Sequence, residues 1–188
     1  LTAGLDMPGY TTSDFSYGND LSLGTGVPLD AVELFDVQTS RRHPTGIPFY
    51  WKSQSYDYYA EGEWKNSITK EHEIDPSEWP IREVSNANRV EIKLTYTIRA
   101  ASMHTLYLPE QPQHVSRPAL WVGDSAQVGQ VDLIAVKVQD SLRAGETIKV
   151  ETWLKELTVA MLRKAGEEYP KWVTERYLNL PEDLPQSV

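Results

Sequence analysis

The sequence predicts a mainly all-β fold, an Ig-like β-sandwich of two sheets with about seven to nine strands, followed by a pair of short C-terminal helices. Residues 89–98 alternate strictly between apolar and polar side chains, which is typical of a strand with one buried face. Similar strand patterns recur about every ten residues with turn signals between them, which favours a sandwich over alternating βαβ units. Helical spacing becomes clear only after residue 157.

The chain divides into three parts along its length. Residues 1–26 are rich in Gly, Ser, Thr, Asp and Asn, and this composition predicts a loop-rich N-terminal segment. Residues 27–157 contain the strand patterns and form the predicted β-sandwich domain. Residues 158–188 contain two helical patterns and then several prolines, which predicts a helical connector toward a further C-terminal domain.

The strands of the sandwich domain are expected between clusters of turn-forming residues. In the segment 89–98, the apolar residues share one face of the strand, and they are Val90, Ile92, Leu94, Tyr96 and Ile98. Glu-Gly-Glu-Trp at 61–64 predicts a turn into a following strand, whereas the prolines and asparagines of 75–88 predict a long irregular connection. The other expected strands are 31–39, 49–59, 104–108, 114–122, 131–139 and 147–156.

The two C-terminal helical patterns carry their own boundary signals. Thr158 is placed to accept a hydrogen bond at the start of the first helix, and Gly166 is placed to end it. Pro170 suits the first turn of the second helix, in which large side chains recur at helical spacing between Trp172 and Tyr177. We expect both helices to pack on an edge of the sandwich.

Composition excludes several classes of function. The net charge is −9, from 27 acidic and 18 basic side chains without a basic cluster, so nucleic acid is not expected as a partner. The chain has no cysteine, which excludes a Cys nucleophile, a thiolate metal site and a disulfide from these residues. Since no apolar run approaches the ~20 residues that cross a bilayer, we expect a soluble piece.

No motif in the sequence predicts a catalytic residue, a cofactor or a metal. There is no Gly-x-Ser-x-Gly elbow, and the Gly-Thr-Gly at 24–26 lacks the third glycine of a phosphate-binding loop. The histidines form no metal-binding pair and are expected to be structural or solvent-facing, and they are His43, His72, His104 and His114. The acids clustered at 61–78 are more often a solvated rim, so a glycosidase that uses two of them is the weakest alternative.

One stretch is dense in aromatic residues and is the candidate recognition surface. Exposed rings on a β-sandwich can stack on sugars or on peptide side chains, because they offer a large contact area with little flexibility to lose. The competing interpretation is that alternate rings pack into the core while the others cover a sheet edge. The candidate residues are Tyr50, Trp51, Tyr56, Tyr58, Tyr59 and Trp64.

Four short motifs are spread across residues 30–188. Leu34–Ser40 is an expected strand, and Pro48–Trp64 after it contains Tyr-Trp-Lys-Ser, Tyr-Asp-Tyr-Tyr and Gly-Glu-Trp. His104–Pro109 reads His-Thr-Leu-Tyr-Leu-Pro, and Tyr177–Pro181 in the tail reads Tyr-Leu-Asn-Leu-Pro. In their order and spacing these motifs resemble the extracytoplasmic region that precedes the catalytic core in bacterial membrane-anchored transglutaminase-like proteins.

The resemblance implies a larger parent protein that is anchored by membrane helices outside this chain. This region would lie on the periplasmic or cell-surface side of a bacterial membrane, ahead of a papain-type core of the cysteine protease superfamily. That core would carry the Cys, His and Asp residues and catalyse protein-glutamine transamidation or peptide hydrolysis. The resemblance implies no catalytic residue before Val188, and the family's usual Arg-Gly is Lys52-Ser53 in this chain.

The expected function is that of a non-catalytic accessory domain. It would position the transglutaminase-like core of the same polypeptide and contribute to the access of a peptide, protein or cell-wall ligand. The alternative is a carbohydrate-binding or cell-wall-binding module that uses the aromatic residues of the candidate recognition surface.

Overall fold

The computed structural model of the chain describes residues 20–22, 33–41, 49–74, 89–109, 112–127, 130–155 and 158–179. Within these ranges it contains eleven strands and two helices. The strands are β1 (Asp20–Ser22), β2 (Phe35–Thr39), β3 (Tyr58–Ala60), β4 (Glu63–Lys65), β5 (Glu71–Ile74), β6 (Arg89–Ile98), β7 (Ser102–Thr105), β8 (Pro112–Val115), β9 (Ala119–Gln127), β10 (Gln130–Arg143) and β11 (Thr147–Lys155). The helices are α1 (Val159–Lys164) and α2 (Lys171–Tyr177).

Two antiparallel four-stranded sheets form a β-sandwich. One has the strand order β2-β6-β11-β8 and the other has the order β5-β9-β10-β7. A single cluster of buried apolar side chains joins them, with Tyr96 and Val150 from the first sheet and Trp121 and Val138 from the second. The predicted mainly all-β sandwich is therefore confirmed, and the eight strands of these two sheets lie within the expected number.

Strand β6 shows how the alternating sequence produces the core. Its predicted inner face, from Ile92 to Ile98, is at most 1% exposed. The strand pairs with β11 in unbroken register, so that Tyr96 lies opposite Ile148. Each fully buried apolar side chain of this kind contributes on the order of 1.5–3 kcal/mol relative to an exposed one. Strands β6 and β11 are the two inner strands of the first sheet.

The expected strand at 114–122 is in fact two strands that belong to different sheets. Strand β8 pairs with β11, whereas β9 pairs with β10. The chain passes between the sheets at Ser116–Pro118, where the carbonyl of Pro118 accepts a hydrogen bond from the Gln139 amide. A proline has no N–H to donate to a ladder, so a continuous strand through Pro118 would lose a hydrogen bond.

The expected strand at 49–59 is regular only at its end, in β3. Before β3, Lys52 and Gln54 form isolated bridges to Leu108 and Ala135. The physical reason is that Trp51 packs against the core instead of continuing the alternation of a strand. Strand β3 belongs to a third sheet with the order β1-β4-β3, which the sequence pattern does not predict.

The turn predicted at 61–64 is confirmed as a two-residue hairpin loop between β3 and β4. Ala60 and Glu63 are paired across it. Glu61 has φ 55° and Gly62 has φ 83°. Two successive residues with positive φ give the backbone of a type I′ turn, whose twist matches that of the flanking strands.

The helices begin where their signals predict. Thr158 Oγ1 accepts a hydrogen bond of 3.2 Å from the Met161 amide at the start of α1, and Pro170 directly precedes α2. Neither helix contains a buried residue. Helix α2 contacts β9 and β10, the inner strands of their sheet, through Arg176. The expected packing of both helices on an edge of the sandwich stays a prediction, and the described contacts place α2 beside the β9–β10 hairpin. Within the described part of the chain, neither helix is long and apolar enough to cross a membrane.

Several predictions lie outside the described residues. They include the irregular connection at 75–88, most of the loop-rich segment 1–26 and the final part of the connector at 180–188. Strand β1 is the described part of the N-terminal segment, and it pairs with β4.

Candidate functional site

Trp51, one of the candidate recognition residues, packs inside an aromatic cluster against the core. Its ring centroid lies 5.8 Å from that of Phe35 and 6.0 Å from that of Tyr96, both in edge-on geometry. Phe49 contributes a further tilted contact at 5.5 Å. Edge-on pairs of this kind are favourable because the positive edge of one ring meets the negative face of the other.

Tyr50 and Tyr56 lie near Trp51 in the sequence but in different surroundings. Tyr50 is 79% exposed and lines a groove of about 320 Å³ whose other walls include Leu108 and Leu133. Tyr56 is part-buried, and its hydroxyl accepts a hydrogen bond of 2.5 Å from the side-chain amide of Gln54.

The remaining candidate rings lie on the β3–β4 hairpin. Tyr59 and Trp64 are cross-strand partners and form an edge-on pair with centroids 5.4 Å apart. Tyr58 is opposite Lys65, so its ring lies on the other face of the hairpin, where it is 37% exposed. The structure thus distributes the six candidate rings among separate environments, and it brings one of them, Tyr58, to a groove beside α2.

Helix α2 is held against the β9–β10 hairpin by an anchor, which we define as Asp132, Arg176 and Tyr177. Arg176 Nη1 lies 2.5 Å from Asp132 Oδ2, and the Tyr177 hydroxyl donates a hydrogen bond of 2.7 Å to Asp132 Oδ1. Arg176 Nη2 also reaches Asp124 Oδ2 at 3.4 Å. Since Asp132 and Asp124 are paired across the hairpin, the helix contacts both strands at the same level.

The surroundings of the anchor raise the pKa values of both Tyr177 and Arg176. Burial raises the pKa of Tyr177 above its ordinary value of 10.0, and the hydrogen bond to the charged Asp132 raises it further. For Arg176, burial lowers the pKa, but the hydrogen bonds and charges of Asp132 and Asp124 outweigh burial and the net change is upward. The phenol therefore stays a neutral donor and the guanidinium stays a cation.

A second buried carboxylate, Asp57, lies near the anchor. It is 3% exposed, and it accepts hydrogen bonds from the Ser67 amide at 2.8 Å and from the Ser67 hydroxyl. Both donors belong to Ser67, which is neutral. They therefore provide hydrogen bonds to the Asp57 carboxylate but no opposite charge. The charge of Asp57 also contributes to the raised pKa of Tyr177, which places the two groups within electrostatic reach.

Asp57 lines an open groove of about 350 Å³ between the β3–β4 hairpin and α2, which we call the connector groove. Its walls combine two aromatic rings with charged and polar groups. The lining residues are Asp57, Tyr58, Ser67, Trp172, Glu175, Arg176 and Asn179. A concave site with aromatic walls and a few polar groups is the usual form of a ligand site on a protein surface.

Three of the acids in the stretch 61–78 make ion pairs. Glu61 and Glu63 lie 3.0 Å and 3.7 Å from Lys65 Nζ, and Glu71 lies 2.7 Å from Lys137 Nζ. The part of the stretch after residue 74 lies outside the described residues. Among the residues that the structure does describe, there is no group of three or more His, Cys, Asp or Glu placed to hold a metal ion.

Two of the histidines make specific structural contacts. The His72 ring stacks on Trp121 with centroids 4.1 Å apart, and His104 Nδ1 lies 3.2 Å from the Val138 carbonyl oxygen. His114 lies in β8 opposite Glu151, and His43 lies outside the described residues.

The sequence-based search for candidate sites did not include the anchor or Asp57. A signal for the anchor exists, because Asp132 interrupts the apolar run 131–136 at a position that the strand buries. A carboxylate at such a position requires a donor from elsewhere, and the helical spacing around Arg176 supplies one.

No protein-family model, no curated protein sequence and no solved structure matches the chain.

Proposed function

We propose that the chain is a non-catalytic accessory domain of a bacterial membrane-anchored transglutaminase-like protein, on the extracytoplasmic side of the membrane. In this role it holds the catalytic core of the same polypeptide in a defined orientation and contributes to the access of a peptide, protein or cell-wall ligand. The order and spacing of the four motifs support the family, and the anchored connector helix supports the positioning role.

The observation that carries the proposal is the attachment of α2 to the sandwich. A helix of seven residues is too short to be stable by itself in water, so its contacts with the sandwich determine whether it is ordered. Asp132 provides these contacts from an inner strand, and its side chain is only 8% exposed. An ion pair with a buried partner is less screened by solvent than a surface pair. Because its donor and acceptor atoms have fixed positions, this ion pair also sets the orientation of the helix.

The end of α2 is also closed by hydrogen bonds. The Leu178 amide donates to the Thr174 carbonyl at 3.3 Å, and the Asn179 side-chain amide donates to the Glu175 carbonyl. Within residues 158–179, α2 is therefore held against the sandwich and its end is closed as far as Asn179. A domain attached after this point would inherit its orientation from the sandwich.

The first test concerns the complete gene product. We expect the reading frame that encodes this chain to continue into a core with Cys, His and Asp motifs, and we expect the complete protein to catalyse transamidation or peptide hydrolysis. The isolated 188-residue chain should give no turnover in the same assays. Turnover by the isolated chain, or a reading frame without such a core, would contradict the proposal.

The second test concerns the positioning role. In the complete protein, Arg176→Leu should lower kcat/KM severalfold while the reactivity of the core cysteine toward a small alkylating agent stays the same. Lys171→Leu removes a cation from the same helix but not from the anchor, and it serves as the matched control. Equal kcat/KM values for the two variants would show that the anchor does not position the core.

A further inference from the structure

The connector groove has an unusual balance of charge. Its lining includes two acidic residues, the buried Asp57 and, from α2, Glu175. The one guanidinium in the lining, that of Arg176, is already engaged by Asp132 and Asp124. Arg176 is therefore committed to the anchor and does not neutralise Asp57 within the groove, while Glu175 forms only an exposed ion pair with Lys171.

Donors of the groove are already used within the protein, whereas its carboxylates can accept further hydrogen bonds. Ser67 uses its amide and hydroxyl on Asp57, and Asn179 uses its side-chain amide on the Glu175 carbonyl. A carboxylate has about four lone-pair sites, so Asp57 and Glu175 keep capacity to accept further hydrogen bonds. A ligand that complements these acceptors is rich in donors and carries positive charge.

The aromatic walls also favour a ligand that carries a positive charge. Tyr58 and Trp172 line the groove from the hairpin and from α2. A ring face attracts a cation through its quadrupole, and it also packs well against the methylene groups that carry an ammonium. A sugar needs donors as well as acceptors from its site, whereas an ammonium needs acceptors only.

We propose that the connector groove binds the ammonium group of a lysine side chain in a peptide or protein, between Tyr58 and Trp172 and against the carboxylates of Asp57 and Glu175. Lys171 Nζ lies 3.2 Å from Glu175 in an exposed pair. Exposed pairs of this kind are weak, so a ligand ammonium replaces Lys171 with little loss. This site does not depend on the presence of a downstream core.

The test uses the isolated chain and a blocked tripeptide, acetyl-Gly-Lys-Gly-amide, followed by NMR at the Trp172 indole N–H. We expect saturable shifts with a dissociation constant on the order of 1 mM that weakens with added salt. The same peptide with an acetylated lysine should cause no saturable shift. Free 1,5-diaminopentane tests whether the ammonium must belong to a peptide. Weaker binding of the diamine than of the peptide supports a peptide ligand, and tighter binding of the diamine overturns it.

The affinities of single-residue variants for the lysine peptide test where it binds. Glu175→Gln should weaken binding about fivefold, because it removes one exposed charge contact without affecting the core. Glu167→Gln makes the same charge change elsewhere on the connector and should leave the affinity unchanged. Tyr58→Leu should weaken binding several-fold, whereas Trp64→Leu on the opposite face of the hairpin should not.

Three outcomes would overturn the site. The first is that the acetylated peptide binds as tightly as the charged one. The second is that Glu175→Gln and Glu167→Gln have the same affinity for the lysine peptide. The third is that a tetramer of N-acetylglucosamine shifts the Trp172 indole signal while the lysine peptide does not. The last result would identify the connector groove as a sugar site. None of these outcomes bears on whether the complete protein contains a catalytic core, so the two proposals fail separately.

Discussion

Asp132 on β10 and Arg176 on α2, 44 residues apart in the sequence, form an ion pair in which Nη1 lies 2.5 Å from Oδ2. The Asp132 side chain is 8% exposed and that of Arg176 is 22% exposed. Because removal of one partner leaves the other charge poorly solvated, the pair couples the docking of the helix to the integrity of the β9–β10 hairpin.

We predict that Arg176→Leu releases α2 from the sandwich. The variant leaves Asp132 with Tyr177 as its remaining described donor, and water can solvate the carboxylate only when the helix moves away. Hydrogen exchange of the α2 amides should become at least tenfold faster, while global stability falls by about 1–2 kcal/mol, less than for a fully buried pair. Arg176→Lys keeps the charge and should have an intermediate effect. Unchanged exchange in Arg176→Leu would show that the anchor does not hold the helix.

The raised pKa of Tyr177 predicts a loss of stability in alkali. Since the pKa is higher in the folded state than its ordinary value of 10.0, this contribution is complete below pH 10 and declines as the pH rises above it. The decline from Tyr177 is at most about 1.4 kcal/mol per pH unit, and solvent contact reduces it.

Urea unfolding at pH 8, 10 and 11 tests this prediction. Tyr177→Phe should be less stable than the original chain at pH 8 by about 1–2 kcal/mol, because the hydrogen bond to the Asp132 carboxylate is lost. The difference should narrow at pH 11. Some alkaline slope should persist, because burial also raises the pKa of Tyr96. Tyr169→Phe changes a 60% exposed ring and should parallel the original chain, and a constant difference between Tyr177→Phe and that chain would refute the assignment.

Truncation of two neighbouring aromatic residues should have effects of very different size on stability. Trp51→Ala removes a ring that contacts Phe35 and Tyr96, so we expect a loss of about 2–3 kcal/mol, below the value for a fully buried tryptophan. Tyr50→Ala changes a ring that is 79% exposed and should stay within about 0.5 kcal/mol. Urea unfolding of both variants measures the two values. Equal losses would mean that the chain packs differently at this segment.

The parts of the fold that follow from the sequence are those encoded by local pattern. The alternation of β6 identifies its buried face, because a period of two places all its apolar side chains on the same side. The cap at Thr158 and the Glu-Gly turn are likewise set by side chains and backbone angles within a few residues.

The parts that the sequence does not predict depend on contacts between distant segments. Trp51 lies in a run that resembles a strand, and only the presence of Phe35 and Tyr96 in space explains why it turns inward. Asp132 can be recognised as a buried carboxylate in need of a donor. However, the sequence does not reveal that this donor is Arg176, since many exposed basic residues have the same local pattern.

Gly123 is predicted to be essential for the β9–β10 hairpin. A Cβ atom at this position would overlap the backbone oxygen of Asp132 and lie 2.9 Å from a ring carbon of Trp121. We expect Gly123→Ala to cost about 2–4 kcal/mol, since a backbone atom cannot move aside as a flexible side chain does. Gly166→Ala is the matched control, because the nearest atom to its added Cβ is 3.9 Å away. Comparable melting temperatures for the two variants would refute this account.

Glu61 is predicted to be a strained position that can be improved. Its φ of 55° is unfavourable for glutamate, whereas asparagine tolerates positive φ and Asn-Gly is the preferred sequence of a type I′ turn. Glu61→Asn also removes the ion pair with Lys65, but the Glu61 side chain is 84% exposed, so that pair contributes at most about 0.5 kcal/mol. Relief of the strain, about 1 kcal/mol, should therefore outweigh the lost pair and give a net gain of roughly 0.5 kcal/mol. Urea unfolding at high salt, where the pair is screened, should show the larger gain, and a destabilised variant at high salt would mean that the turn does not strain Glu61.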